Sequence, residues 1–105
     1  MKRLAVTFSA TLLPLAFALT ATAAQADDGE AIYNKACMAC HMTGAAGAPI
    51  RGKADQWEPR QEKGIDTLYD HAINGFQAMP AKGGQPGLSD DEVKAAVDYM
   101  LEPTL

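Results

Sequence analysis

Thiol, imidazole and positive charge are all scarce in this chain of 105 residues. It holds two cysteines and two histidines. A zinc site needs four ligands, and two thiols cannot build a four-cysteine cage. Nine basic residues face thirteen acidic ones, a net charge of −4. That balance argues against nucleic acid or an anionic membrane surface as a partner. No internal repeat is visible, and no stretch alternates convincingly as a strand. Nor does any constellation of catalytic histidine and glutamate stand out, so the chain is not expected to be an enzyme.

What is present is concentrated in five residues, Cys37-Met38-Ala39-Cys40-His41. Cys-x-x-Cys-His is the spacing at which haem is attached covalently. Two thiols three positions apart lie on one helical turn and can each add to a vinyl group of the same haem. The next residue then brings its imidazole below the iron as the proximal axial ligand. Competing readings are a two-cysteine redox motif, a stray disulfide and half of a zinc site. With a single such motif, one haem c per chain is expected, held by two thioethers from Cys37 and Cys40.

The first residues bear on where this chemistry happens. Met1-Lys2-Arg3 is a short basic start, Leu4–Leu19 is almost entirely apolar or small, and Ala24-Gln25-Ala26 fits a small-x-small cleavage site. This three-part pattern reads as a secretory signal peptide over residues 1–26, leaving a single domain over 27–105. A retained transmembrane anchor is the rival reading, but the apolar run is marginal in length and broken by Pro14. Export implies a periplasmic location with no stable membrane insertion after cleavage. Thioether bonds would consume both cysteines in a compartment where free thiols tend to oxidise. Lys2 and Arg3 leave with the leader, so seven basic residues then face thirteen acidic ones, a net charge of −6. A domain this small is marginal on its own apolar residues. The haem is therefore expected to be structural as well, with the haem-free chain largely unfolded.

The remaining pattern is all-α. Asp28 can cap a first helix that runs through Ile32, Tyr33 and Ala36 into the cysteine motif. Residues 42–53, with three glycines and Pro49, form a loop. A short helix or turn is expected around 55–63, with Pro59 near its start. Leu68, Tyr69, Ala72, Ile73 and Phe76 recur at helical spacing from Ile65 onward. A second loop covers 77–88. Ser89 and Glu92 form a capping box ahead of the stripe Val93, Ala96, Val97, Met100 and Leu101.

The iron's second axial position can take methionine, histidine or nothing from the protein. Met38 and Met42 lie too close to the attachment site to reach the opposite face, and Met100 belongs to a core stripe. Met79 lies in a loop, where Pro80 biases it toward extended backbone. It is the expected ligand opposite His41, with gap-filling in the core as the plainer alternative. His71, inside a helix beside Asp70, reads as a surface or half-buried residue.

Cys37-x-x-Cys40-His41, Gly44-x-x-Gly47-Ala48-Pro49, Trp57, Arg60, Asn74-Gly75, Met79-Pro80-x-Lys82-Gly83 and Leu88-Ser89-Asp90-x-Glu92 to Tyr99-Met100 together resemble bacterial cytochrome c₅. That family lies within the class I c-type cytochromes, and the resemblance spans essentially the whole of residues 27–105. It implies a small class I cytochrome c fold of helices and loops around one haem. It also implies one-electron transfer, Fe(III)/Fe(II), in a periplasm, with His41 and Met79 as axial ligands. Partners would be redox proteins, a terminal oxidase or reductase among them, met by a monomer or weak dimer. A haem c subunit of a larger oxidoreductase complex is the alternative. First and last helices should cross, with Gly29 and Tyr33 meeting Ala96 and Tyr99. Pro49 could accept a hydrogen bond from the outer nitrogen of His41, or be an ordinary turn proline. Trp57, through its indole donor, and Arg60, through charge, are candidates for the haem propionates, with a core role open for Trp57. Arg51, Lys53, Lys63, Lys82 and Lys94 read as surface charges. Ala45, Ala46, Gly47 and Ala48, with Pro80 and Ala81, would rim an exposed haem edge. The chain departs from some cytochromes c₅ in lacking two cysteines after the axial methionine.

Overall fold

The computed structural model describes residues 28–105 continuously, together with 5, 7, 10 and 11. The leader expected over residues 1–26, with its expected cleavage site, therefore lies essentially outside the described residues. Among those described, the elements are helices and tight turns, with one isolated bridge between Phe76 and Met79 and no strand. An all-α chain is what the sequence periodicity required.

Helix α1 (Gly29–Ile32) starts where Asp28 accepts a hydrogen bond from the Ala31 amide at 3.2 Å. It continues without a break into a π-helical turn, Tyr33–Cys37, and then α2 (Met38–His41), which carries the cysteine motif. The π turn is shown by the Met38 amide, which donates to the Tyr33 carbonyl five residues back. One inserted residue rotates everything after it by roughly 100°. No 3.6-residue pattern in the sequence announces that rotation.

Helix α3 is Ala54–Gln61, and Pro59 stands in its second turn rather than near its start. The missing proline amide costs one ladder bond there. Helix α4 is Ile65–Asn74 and α5 is Asp90–Leu101. The capping box of α5 is complete: Ser89 Oγ accepts from the Glu92 amide at 3.1 Å, and Glu92 accepts from the Ser89 amide at 3.0 Å.

The frame is the crossing of α1 on α5. A Cβ on Gly29 would stand 2.1 Å from the Ala95 carbonyl oxygen and 3.0 Å from Tyr99 Cβ, so only glycine lets the backbones approach this closely. Tyr33 and Tyr99 pack with ring centroids 5.3 Å apart. The expected crossing is therefore present, with Ala95 rather than Ala96 against Gly29. Ala96 is instead buried in the core.

That core comes in two parts. One gathers Tyr33, Trp57, Val97, Met100 and Leu101; the other gathers Ile32, Leu88, Val93 and Ala96. Half-buried Cys37 and Ala72 touch both.

Candidate haem site

His41 ends α2 as a buried side chain, 8% exposed. Its Nδ1 lies 2.8 Å from the Pro49 carbonyl. A carbonyl can only accept, so Nδ1 carries the proton and Nε2 is left with its lone pair. Nε2 makes no hydrogen bond among the described residues. The Arg51 amide donates to the His41 carbonyl at 2.9 Å, tying the following loop back to the helix end. Of the two readings of Pro49, the orienting carbonyl is the one the geometry supports.

Electrostatics favour the same neutral form. Burial lowers the His41 pKa, and the positive charge of Arg60 lowers it further, while the Pro49 carbonyl pulls in the opposite direction. A neutral imidazole with a fixed tautomer is a ready metal ligand. Burial also pushes the Cys37 thiol up to about 11. Reactive redox thiols are held low, as thiolates, by neighbouring positive charge. Cys37 is held the other way, which speaks against a two-cysteine redox centre. Neither cysteine is in a disulfide.

Trp57 is buried and lies against His41, centroids 5.9 Å apart and planes inclined by 21°. Its indole N–H donates to the Ile50 carbonyl at 3.0 Å. The donor proposed for a propionate is thus spent on backbone, and the core reading of Trp57 is the one the structure supports. Arg60 keeps more freedom. One guanidinium nitrogen, Nη1, donates to the Gln56 carbonyl at 2.6 Å, and the side chain lines an open cleft with Thr43, Gly44, Gly47, Ala48, Pro49, Ile50 and Gln56.

Met79 is half-buried at the end of a tight turn. Phe76 and Met79 exchange both backbone hydrogen bonds, at 3.0 and 2.9 Å, with Gln77 at φ +53° between them. Gly75 packs under this turn, where a Cβ would come within 3.1 Å of the Ala81 amide and 3.2 Å of the Met79 carbonyl. The methionine is therefore presented by a stiff hairpin rather than a slack loop.

Two long basic side chains read as surface charges are in fact used internally. Arg51 Nε donates to the Tyr99 carbonyl at 3.2 Å, and its guanidinium lies 3.9 Å from the Tyr99 ring centroid. Lys82 Nζ donates to the Leu88 carbonyl at 2.7 Å and pairs with Asp90 at 3.3 Å. Their acceptors are largely backbone carbonyls, which every residue has, so neither contact has a signature in the sequence.

The residues present fit a covalently attached haem. A flat apolar group needs a sheltered apolar wall, two thiols at one edge and a nitrogen with a free lone pair. Helix α4 carries the apolar stripe Leu68, Tyr69, Ala72 and Ile73, yet none of its residues is buried by the protein. The two cysteines and the unbonded Nε2 of His41 complete the donor set.

A family model described as cytochrome c oxidase, cbb3-type, subunit III matches residues 24–100. Cytochrome c-555 of Chlorobaculum tepidum is 43% identical over 77 residues, covering 70% of this chain and 71% of that protein. Cytochrome c5 of Azotobacter vinelandii is 40% identical over 77 residues, covering 71% of this chain and 93% of that one. Among solved structures, a chain in the electron transfer complex of nitrite reductase with cytochrome c superposes with a TM-score of 0.69. It is 36% identical, over 74% of this chain and 95% of that chain. Agreement of this extent in both sequence and fold means common descent, and the chain belongs to the class I c-type cytochromes, monohaem electron carriers with covalently bound haem c.

Proposed function

We propose that this chain is a periplasmic one-electron carrier, with residues 1–26 as its cleaved leader and 27–105 as the working domain. Cys37 and Cys40 would attach the haem through thioethers, and His41 and Met79 would hold its iron. The bound haem supplies the Fe(III)/Fe(II) couple, and the protein's part is to hold it and tune it. Pro49 keeps the proton on Nδ1 of His41 and fixes the ring's orientation. Trp57 covers one face of that imidazole and excludes water from it. The Met79 thioether, a soft ligand, favours the reduced state. Arg60, lining the cleft beside Pro49, is the candidate partner for a propionate. An iron held by both His41 and Met79 would have no position left for a substrate, which favours an electron carrier over an enzyme.

The observation that carries this reading is the His41 Nδ1 to Pro49 carbonyl bond, which orients the one histidine of the attachment motif as a metal ligand. Redox partners meet such carriers through small, quickly released contacts. The apolar residues Ala45, Ala46 and Gly47, all exposed, supply one such rim. A reductase or terminal oxidase is the partner class we favour, since a fold neighbour comes from a complex with nitrite reductase. The family model's description as an oxidase subunit favours a second reading, permanent docking in a larger complex.

The test is the mass and optical spectrum of protein matured in cells competent for covalent haem attachment. One haem per chain, cleavage after Ala26 and a methionine-to-iron absorption band that Met79→Ala abolishes are expected. Reduced protein that binds carbon monoxide readily would overturn the Met79 assignment. Co-purification with a larger enzyme would favour the second reading.

A further inference from the structure

The segment Lys82-Gly83-Gly84 has three consecutive residues at positive φ, +54°, +60° and +78°. Glycine adopts that conformation freely, whereas a residue with a Cβ is strained in it. Two of the three positions are glycine; the first is lysine. Its side chain turns back onto the fold, about a quarter exposed, and donates to the Leu88 carbonyl at 2.7 Å while pairing with Asp90 at 3.3 Å. The Lys82 ammonium thereby closes a seven-residue loop from the far side of Pro80 to the start of α5.

The other side of this loop is also fixed. A Cβ on Gly83 would stand 2.2 Å from the Ala36 carbonyl oxygen, so the loop lies directly on the π turn, at the residue before Cys37. Met79 leads into this segment through Pro80, and Gly83 donates its amide to the Pro80 carbonyl at 3.2 Å. Nothing covalent joins the loop to the rest of the chain, since both cysteines are in the attachment motif.

We infer that Lys82 is a positioning residue for the axial methionine: its bond to the Leu88 carbonyl clasps the loop shut and holds Met79 in place against competing ligands. This rests on Met79 being the ligand. The clasp acts mainly as a charge-assisted hydrogen bond to a carbonyl, with the more exposed carboxylate of Asp90 as a minor partner. An open loop releases Met79, and a small external ligand then binds the iron. Its apparent affinity reports the fraction of open molecules.

The experiment titrates oxidised holoprotein with imidazole and follows the methionine-to-iron band. Lys82→Met keeps the apolar stem and removes the ammonium. Lys82→Gly removes the side chain and relieves the strained φ. Lys82→Met is expected to bind imidazole about tenfold more tightly than the wild type, equivalent to about 1.4 kcal/mol of lost loop closure. Lys82→Gly, whose relieved backbone strain offsets part of that loss, is expected to shift in the same direction by less. Asp90→Asn is expected to change the affinity less than about twofold, in keeping with an exposed ion pair. Thermal melts of the same proteins separate the local effect from a global one. If both Lys82 variants bind imidazole as the wild type does, or if Asp90→Asn matches them, the clasp as drawn is wrong. A wild type with no methionine band would instead remove the ligand assignment itself, and that outcome is visible before any variant is made.

Discussion

At the scale of single residues, the structure spends polar side chains on distant partners. Tyr69 on α4 donates its hydroxyl to Asp98 on α5 at 2.5 Å. That bond stabilises the protonated phenol, and with the nearby negative charge it raises the Tyr69 pKa to about 12 from an ordinary 10.0. A tyrosine pKa raised by folding adds stability that is complete below the unfolded value and is lost as the pH rises through about 12. Ultraviolet titration of the tyrosinate band should show Tyr69 ionising near 12 and Tyr33, which burial also raises, above the ordinary range, and Asp98→Asn should bring Tyr69 alone back toward that range. An unchanged titration curve in the variant would remove the hydrogen bond from the account. This pair shows what the sequence withheld. The helical stripe placed Tyr69 on the inner face of α4, but nothing linear connects it to a carboxylate 29 residues away. Arg51 and Lys82 were misread for a related reason, because their main acceptors are the carbonyls of Tyr99 and Leu88. His41 was readable because covalent haem attachment imposes a local spacing; the role of Pro49 came only from the family resemblance, with an ordinary turn proline equally open until the 2.8 Å contact favoured the first.

Elements were legible in proportion to how local their signals are. The start of α5 needed only Ser89 and Glu92 three residues apart, and the capping box is formed as read. The π turn at Tyr33–Cys37 could not be read, because five residues are too few to distinguish a wider helical turn from an ordinary one. Two predictions belong to this scale. Gly29→Ala puts a methyl 2.1 Å from the Ala95 carbonyl oxygen and so must push α1 off α5. Overpacking of that kind should cost about 2–3 kcal/mol, read as a lower midpoint in chemical denaturation of the holoprotein. The second concerns acid. Hydrogen bonds from the Ser89 amide and side chain lower the Glu92 pKa below its ordinary 4.5. Because the folded value is the lower one, the contribution of Glu92 is fully present above that ordinary value and fades as the pH falls through the folded value. Glu92→Gln should therefore flatten the acid limb of the stability profile, while Ser89→Ala should cost about 1 kcal/mol at neutral pH. An acid limb as steep in Glu92→Gln as in the wild type would show that other carboxylates govern it.

For the whole molecule, the question is what supplies the core. Among the described residues the buried apolar side chains number nine, divided between two clusters that meet at half-buried Cys37 and Ala72. Helix α4 adds an apolar stripe that no protein atoms fully cover, and Phe76 beyond it is 39% exposed. A domain of fewer than about 80 residues has little stability to spare on such a core. The same three features, the join at Cys37, the uncovered stripe of α4 and the buried imidazole of His41, are where we propose that the haem lies. Attachment should therefore act as a folding event, with the prosthetic group completing the hydrophobic interior. Cys37→Ser with Cys40→Ser, expressed without haem attachment, should give a chain with much less helix by circular dichroism than the holoprotein and no cooperative thermal transition. Adding free haem to that variant should restore helix only in part, because His41 and Met79 can still bind iron but the two thioether tethers are gone. A native-like helical spectrum with a sharp melt in the haem-free chain would mean that the two clusters suffice on their own. The haem would then be a guest in a finished fold rather than part of its core.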